Sequence, residues 1–194
     1  ERHLHRDLTA LFPHHLAVRI YPGADAARLA VAAYLGCPVN AFSIADPGLA
    51  EPAGAVARWR PYAQGEPPPD AVVLPVLPVP AAFPWTAVLY PAVDVPDVPP
   101  LPPVAARAMI RAVAAMTGSA APARMELPGF RAVGPYLRVA VDADEYDRIF
   151  NGFLAAGVLI APEYPGPTIC PGEISPGEAA RLRQTCRELL LEGF

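Results

Sequence analysis

The chain has 194 residues, 53% apolar and 18% charged, a balance that fits a folded globular protein and excludes disorder along its whole length. Its formal charge of −4 comes with arginines scattered along the sequence and no basic stripe, so no nucleic-acid partner is expected. All 15 basic residues are Arg, and without a Lys the chain has no side-chain amine for a Schiff base or an amine nucleophile.

No apolar run reaches the roughly 20 residues that cross a bilayer, because Pro, at 27 of the 194 residues, or a charge interrupts each one. The charged opening from Glu1 to Asp7 does not read as a signal peptide, so the expectation is a cytoplasmic protein with no membrane partner. Cys37, Cys170 and Cys186 are odd in number and far apart, which fits neither a disulfide framework nor a zinc site. They are expected to be thiols that pack as small apolar residues.

In chain order, residues 4–12 suit a short helix. His3, His5, His14 and His15 around it lack the i, i+4 spacing that sets two metal ligands on one helix face, so no metal is expected. Residues 16–21, LAVRIY, alternate as a strand does. Pro22-Gly23 then opens a helix over 24–35, with Asp25 near its positive end, Gly36 as its C′ residue and a packing face of Ala26, Leu29, Ala32 and Ala33. Turn residues dominate from 37 to 69, around one short helix expected at 53–59. RWRPY, residues 58–62, is the candidate recognition patch. Arg58, Trp59, Arg60 and Tyr62 are residue types that anchor interfaces and hold anions, set against the alternative of a core Trp flanked by solvated Arg.

The runs 71–80 and 83–93 are apolar and uncharged, so they are expected to be buried extended chain, with Phe83, Trp85 and Tyr90 packed in the core, set against the alternative of an apolar ligand groove lined by the same three residues. Pro75, Pro78, Pro80 and Pro84 assign them to sheet edges or irregular chain, because Pro has no N–H for a ladder. Residues 94–103, DVPDVPPLPP, read as a semi-rigid linker into a helix over 104–117. That sets a boundary between a Pro-rich, irregular or extended N-terminal subdomain, 1–101, and a second subdomain, 102–194.

The second half is more clearly marked. Gly134-Pro135 turns the chain into a strand over 136–141. Asp142 with Glu145 has the form of a capping box, and Tyr146, Ile149, Phe150, Phe153 and Leu154 make one apolar stripe on a helix that Gly157 ends. VLIAP, 158–162, reads as a short strand. Ser175-Pro176-Gly177-Glu178 is a second capping box, opening a helix that buries Ala179, Leu182, Cys186, Leu189 and Leu190. The acidic cluster Asp142, Asp144, Glu145 and Asp147 is accounted for by a helix's positive end rather than by paired-carboxylate chemistry. Cys170 lies in the loop before a helix N-terminus, where a thiol can be lowered in pKa, but Ser175 and the residues between separate it from that end, and only the distant N-terminal His could supply a base. The fold expected is α+β, a small sheet covered by helices on one face.

The succession PYLRVAV, EYDRIFNGFLAAGVLIAP, a Gly/Pro connection and ISPGEAARLRQTCREL resembles the C-terminal small domain of fold type I PLP-dependent aminotransferases, over roughly residues 102–192. The resemblance implies descent from amino-group transfer on a cofactor aldehyde held by a Lys in a separate, doubly wound domain. Here that Lys is missing, and PTICPGEIS has no counterpart of the family's carboxylate-gripping Arg; Arg138 lies on the earlier strand and does not inherit that role. Neither covalent PLP nor transaminase activity is therefore expected. The leading reading is a non-catalytic binding or subunit-contact protein, dimeric or held to a protein partner, resembling an aminotransferase that has lost its Schiff-base lysine. One alternative is a transferase-like enzyme in which Arg58, Arg60 or Arg138 holds an anionic small molecule between the two halves. The other is a structural module that docks a partner through its Pro-rich half.

Overall fold

A four-stranded mixed sheet organises the first half of the chain. The computed structural model describes residues 2–49, 54–63, 66–79, 83–118, 125–170 and 174–191, and among them five α-helices and seven strands divide into two units, Glu1–Ala120 and Ala121–Phe194. The protein is α+β. Among the described residues no helix is long and apolar enough to cross a membrane.

In the first unit the strands are β1 (Ala17–Pro22), β2 (Val56–Trp59), β3 (Val72–Pro75) and β4 (Trp85–Tyr90), in the order β1-β4-β3-β2. β4 runs antiparallel to both neighbours, and β2 joins β3 in parallel. Strand alternation sends Val18, Ile20, Val73, Ala87 and Leu89 into one core with Leu4 and Leu8 of α1 (Arg2–Leu11) and Met109 and Val113 of α3 (Pro103–Gly118). The opposite set, Ala17, Tyr21, Val56, Val72, Val88 and Tyr90, packs with Ala27 and Val31 of α2 (Gly23–Leu35). The buried Tyr90 hydroxyl is satisfied by that of Tyr21 at 2.9 Å.

Several expectations change here. The N-terminal half is a layered sheet with helices, not irregular chain, and the helix expected at 53–59 is β2 from Val56 onward, residues 51–53 lying outside the described residues. β3 and β4 are interior strands rather than edges, because Pro75 closes β3 and Pro84 precedes β4, so neither ring interrupts a ladder; Pro80 lies outside the described residues. α2 packs through Ala27, Val31 and Ala32 while Leu29 is exposed; Gly36, at φ 65°, ends it as expected. The helix expected to open the second subdomain, α3, belongs to the first unit, because Met109, Ala112, Val113 and Met116 bury themselves against α1 and the sheet.

His15 ties this unit together. Its Nε2–H donates to the Ala71 carbonyl at 2.9 Å, and its Nδ1 is buried without a hydrogen-bond partner, beside the edge of Phe12. Burial pushes its pKa below the usual histidine value; the bond to Ala71 opposes that, and His14 adds a smaller downward push.

The second unit holds β5 (Phe130–Val133), β6 (Tyr136–Val139) and β7 (Thr168–Ile169), all antiparallel, in that order. Phe130, Ala132, Leu137 and Val139 share one face and pack with α4 (Ala143–Ala155) and α5 (Pro176–Leu190) through Tyr146, Ile149, Phe153, Cys186 and Leu190. This is the sheet covered by helices on one face. Ser175 and Glu178 form the expected capping box, whereas the Asp142 side chain makes no cap hydrogen bond. Gly157, at φ 75°, ends α4 in a Schellman arrangement: its N–H donates to Leu154 O at 3.0 Å, and that of Val158 to Phe153 O at 2.8 Å. Residues 158–162 do not form the expected strand, because their polar groups are engaged elsewhere. The Val158 N–H belongs to the helix end, the Ala161 N–H donates to Thr168 Oγ1 at 2.9 Å, and the Ala161 carbonyl accepts from the Tyr146 hydroxyl at 2.6 Å.

Two consequences are measurable. Gly129 sits at φ 73° just before β5, where a Cβ would lie 2.7 Å from Leu190 Cβ. Gly129→Ala is expected to cost about 1–3 kcal/mol, read as a lower urea midpoint by far-UV circular dichroism, and an unchanged midpoint refutes the packing argument. The native state takes up a proton at His15 less readily than the unfolded chain does, so unfolding is accompanied by proton uptake. The stability His15 contributes is therefore complete above about pH 6.5 and is lost as pH falls through its folded value. His15→Gln should flatten the acid side of the stability curve measured by Trp fluorescence; an unaltered slope contradicts the assignment.

Candidate functional site

The RWRPY residues are brought near one another in sequence but not aimed at a common point. Strand alternation sends Arg58 and Trp59 of β2 to opposite faces of the sheet. The indole of Trp59 meets the Phe12 ring edge-on at 5.1 Å and packs against the core beneath α1 and α3. Arg60 is buried, and its Nε donates to Asp46 Oδ2 at 2.6 Å. Tyr62, at φ 64°, donates its hydroxyl to the Met116 carbonyl at 3.4 Å. Arg138 belongs to the second unit, on β6 opposite Arg131 of β5. The expected patch is thus a core Trp, a buried ion pair and a turn, and Arg60 in particular is committed to Asp46.

A concave, largely apolar surface lies instead within the second unit. Where α4 ends, the chain from Ala156 to Ile160 runs beside β7 and the first turns of α5, leaving a groove of about 330 Å³. Leu127, Phe130, Leu137 and Leu182 give it an apolar floor, and Leu159 and Ile169 stand at its edge, 71% and 62% exposed. Its polar groups already have internal partners. Thr168 Oγ1 accepts from Ala161, Arg181 Nη2 donates to the Ala156 carbonyl at 2.9 Å, and the Glu178 carboxylate accepts the Ser175 N–H at 2.9 Å. The Ser175 side chain first, and then its backbone N–H, hold the Glu178 carboxyl below the usual range.

The thiol in this groove, Cys170, is buried. Burial pushes the Cys170 thiol up, opposed by a hydrogen bond to the Met125 backbone, in keeping with the expectation of a thiol packed as a small apolar residue. Cys186, in the core beneath, is pushed up to about 11 by burial. Among the described residues no group of three His, Cys, Asp or Glu side chains is placed to hold a metal ion. The arrangement can bury apolar groups; its ionisable side chains are occupied in holding the walls.

No family model, curated protein or solved structure matches the chain. The groove escaped the sequence because Leu159 sits in what reads as a strand and Ile169 in what reads as a connection. The usable signal was AAGVLIAP itself, in which Gly157 ends the helix and leaves Val158, Leu159 and Ile160 in succession, too many apolar residues for one buried face.

The ion pair that removes Arg60 from the patch has a measurable weight. Asp46→Ala, which takes the carboxylate from a buried guanidinium, is expected to lower stability by about 3–5 kcal/mol. The double change Asp46→Leu with Arg60→Met should recover much of that loss in urea unfolding followed by Trp fluorescence. Single and double variants of equal stability would show that the pair carries little.

Proposed function

We propose that the chain is a non-catalytic binding protein, resembling the small domain of a PLP-dependent aminotransferase that has lost its Schiff-base lysine, and that its second unit receives apolar side chains of a protein partner in the groove beside β7. The observation that carries this reading is the exposure of Leu159 and Ile169 at the edge of an apolar groove whose polar groups are internally bonded. Each aliphatic side chain buried in such a site is worth about 1.5–3 kcal/mol, so two or three give useful affinity without any reacting group. The lack of any Lys in this chain supports the loss of Schiff-base chemistry. Three free thiols support a reducing, cytoplasmic setting. The enzyme alternative with an Arg-lined anion site loses Arg60 to Asp46.

The test is direct. Anilinonaphthalene sulfonate, a fluorescent apolar probe, should bind the native chain saturably. Leu159→Asp combined with Ile169→Asp should weaken that binding at least tenfold with an unchanged circular dichroism spectrum. Equal binding by the variant moves the apolar site off this groove and removes the basis of the reading.

A further inference from the structure

The outer face of α3 is a second surface with a distinct chemistry. Arg107 and Arg111 are the only charged residues of this helix; both are exposed and neither has a partner among the described residues. They stand at i and i+4, where like charges repel along a helix, so the pair carries an unmet demand for acid. Beside them Val104 is 83% exposed, and Ala108, Ala112 and Ala115, with Pro78 and Val79, line an open trough of about 460 Å³. Short side chains on the trough floor let another helix come close, and the two guanidiniums select an acidic one.

A surface with the matching pattern is present on the chain itself. Along α4, Asp144, Asp147, Asn151 and Leu154 recur at i, i+3, i+7 and i+10, and all four are exposed, Leu154 to 51%. Asn151 is folded back onto its own helix, its Nδ2 donating to the Asp147 carbonyl at 2.8 Å, and the neighbouring Arg148 is offset by Glu145 at 3.9 Å. The stripe therefore presents two acids one turn apart, then a short side chain, then an apolar one. Laid antiparallel on α3, it sets Asp144 against Arg111 and Asp147 against Arg107. The step from Arg111 to Val104 and the step from Asp144 to Asn151 are then equal, each roughly 10 Å. Leu154 falls one turn further on, beyond Val104.

We infer that the arginine face of α3 docks the acidic face of α4 from a second copy of this chain. The contact joins two different surfaces, so each copy offers one of each, and association closes as a dimer or small ring or continues as an open chain. It is a charge-steered contact and weakens as salt screens it.

Sedimentation velocity on the full chain tests this. The native protein should associate at low ionic strength and dissociate as salt is raised. Arg107→Glu with Arg111→Glu, and separately Asp144→Arg with Asp147→Arg, should each weaken self-association at least tenfold, while circular dichroism stays native. An equimolar mixture of the two variants should associate again, because every contact between unlike variants is complementary. A native chain that stays monomeric at low salt overturns the proposal, as does a mixture that fails to recover. If reversal on α3 acts but reversal on α4 does not, the arginine face takes an acidic surface other than α4 and self-docking through this pair is excluded. The groove beside β7 is untouched by these variants, so probe binding there is read independently.

Discussion

Proline has no N–H to give to a sheet ladder, and in the first unit this limits how far every strand can run. β1 runs into Pro22, β3 ends on Pro75, β4 lies between Pro84 and Pro91, and Pro61 follows β2 after a single residue. Strands this short form few ladder bonds, so the sheet depends on burying both of its faces. Val18, Val73 and Leu89 are lost to one core, and Val56, Val72 and Val88 to the other. The same ring that ends strands begins helices: Pro103 opens α3 and Pro176 opens α5, where the missing N–H costs nothing.

This dual use of Pro explains what could be read from the sequence. Helix starts and stops were legible because their signals are local. Ser175 to Glu178, Gly36 and Gly157 each fix their own backbone, and all three act as their residue types dictate. Strand placement was less legible, because a Pro marks the end of a ladder without saying which side of it the strand lies on. Val72 to Pro75 and Trp85 to Tyr90 read as edge or irregular chain, yet they are the interior of the sheet. Asp142 shows the opposite failure: the residue pattern of a cap is present, and the side-chain bond is not made.

The site was less legible still. Trp and Arg in succession suggest a recognition surface, but a strand turns consecutive side chains to opposite faces, and which of them meets the core depends on partners far away in sequence. Trp59 finds Phe12 and Arg60 finds Asp46, neither of which a local reading of RWRPY contains. The groove beside β7 depends likewise on where residues 158–162 send their backbone groups, a choice made by Tyr146 and Thr168. Function on this fold follows the residues left over once such internal demands are met.

The position of β4 bears on how the chain acquires its structure. β4 is the centre of the first sheet, and its register with β1 pairs Val18 with Leu89, so β1 has no ladder until almost all the intervening chain is in place. The pairing of β5 with β6 closes across Gly134 and Pro135 alone. Loop-closure entropy therefore weighs more on the pairing of β1 with β4 than on the β5–β6 hairpin. On a ribosome the unit made first would wait longest for its central strand, leaving α1 and β1 with exposed apolar faces until Trp85 to Tyr90 emerges.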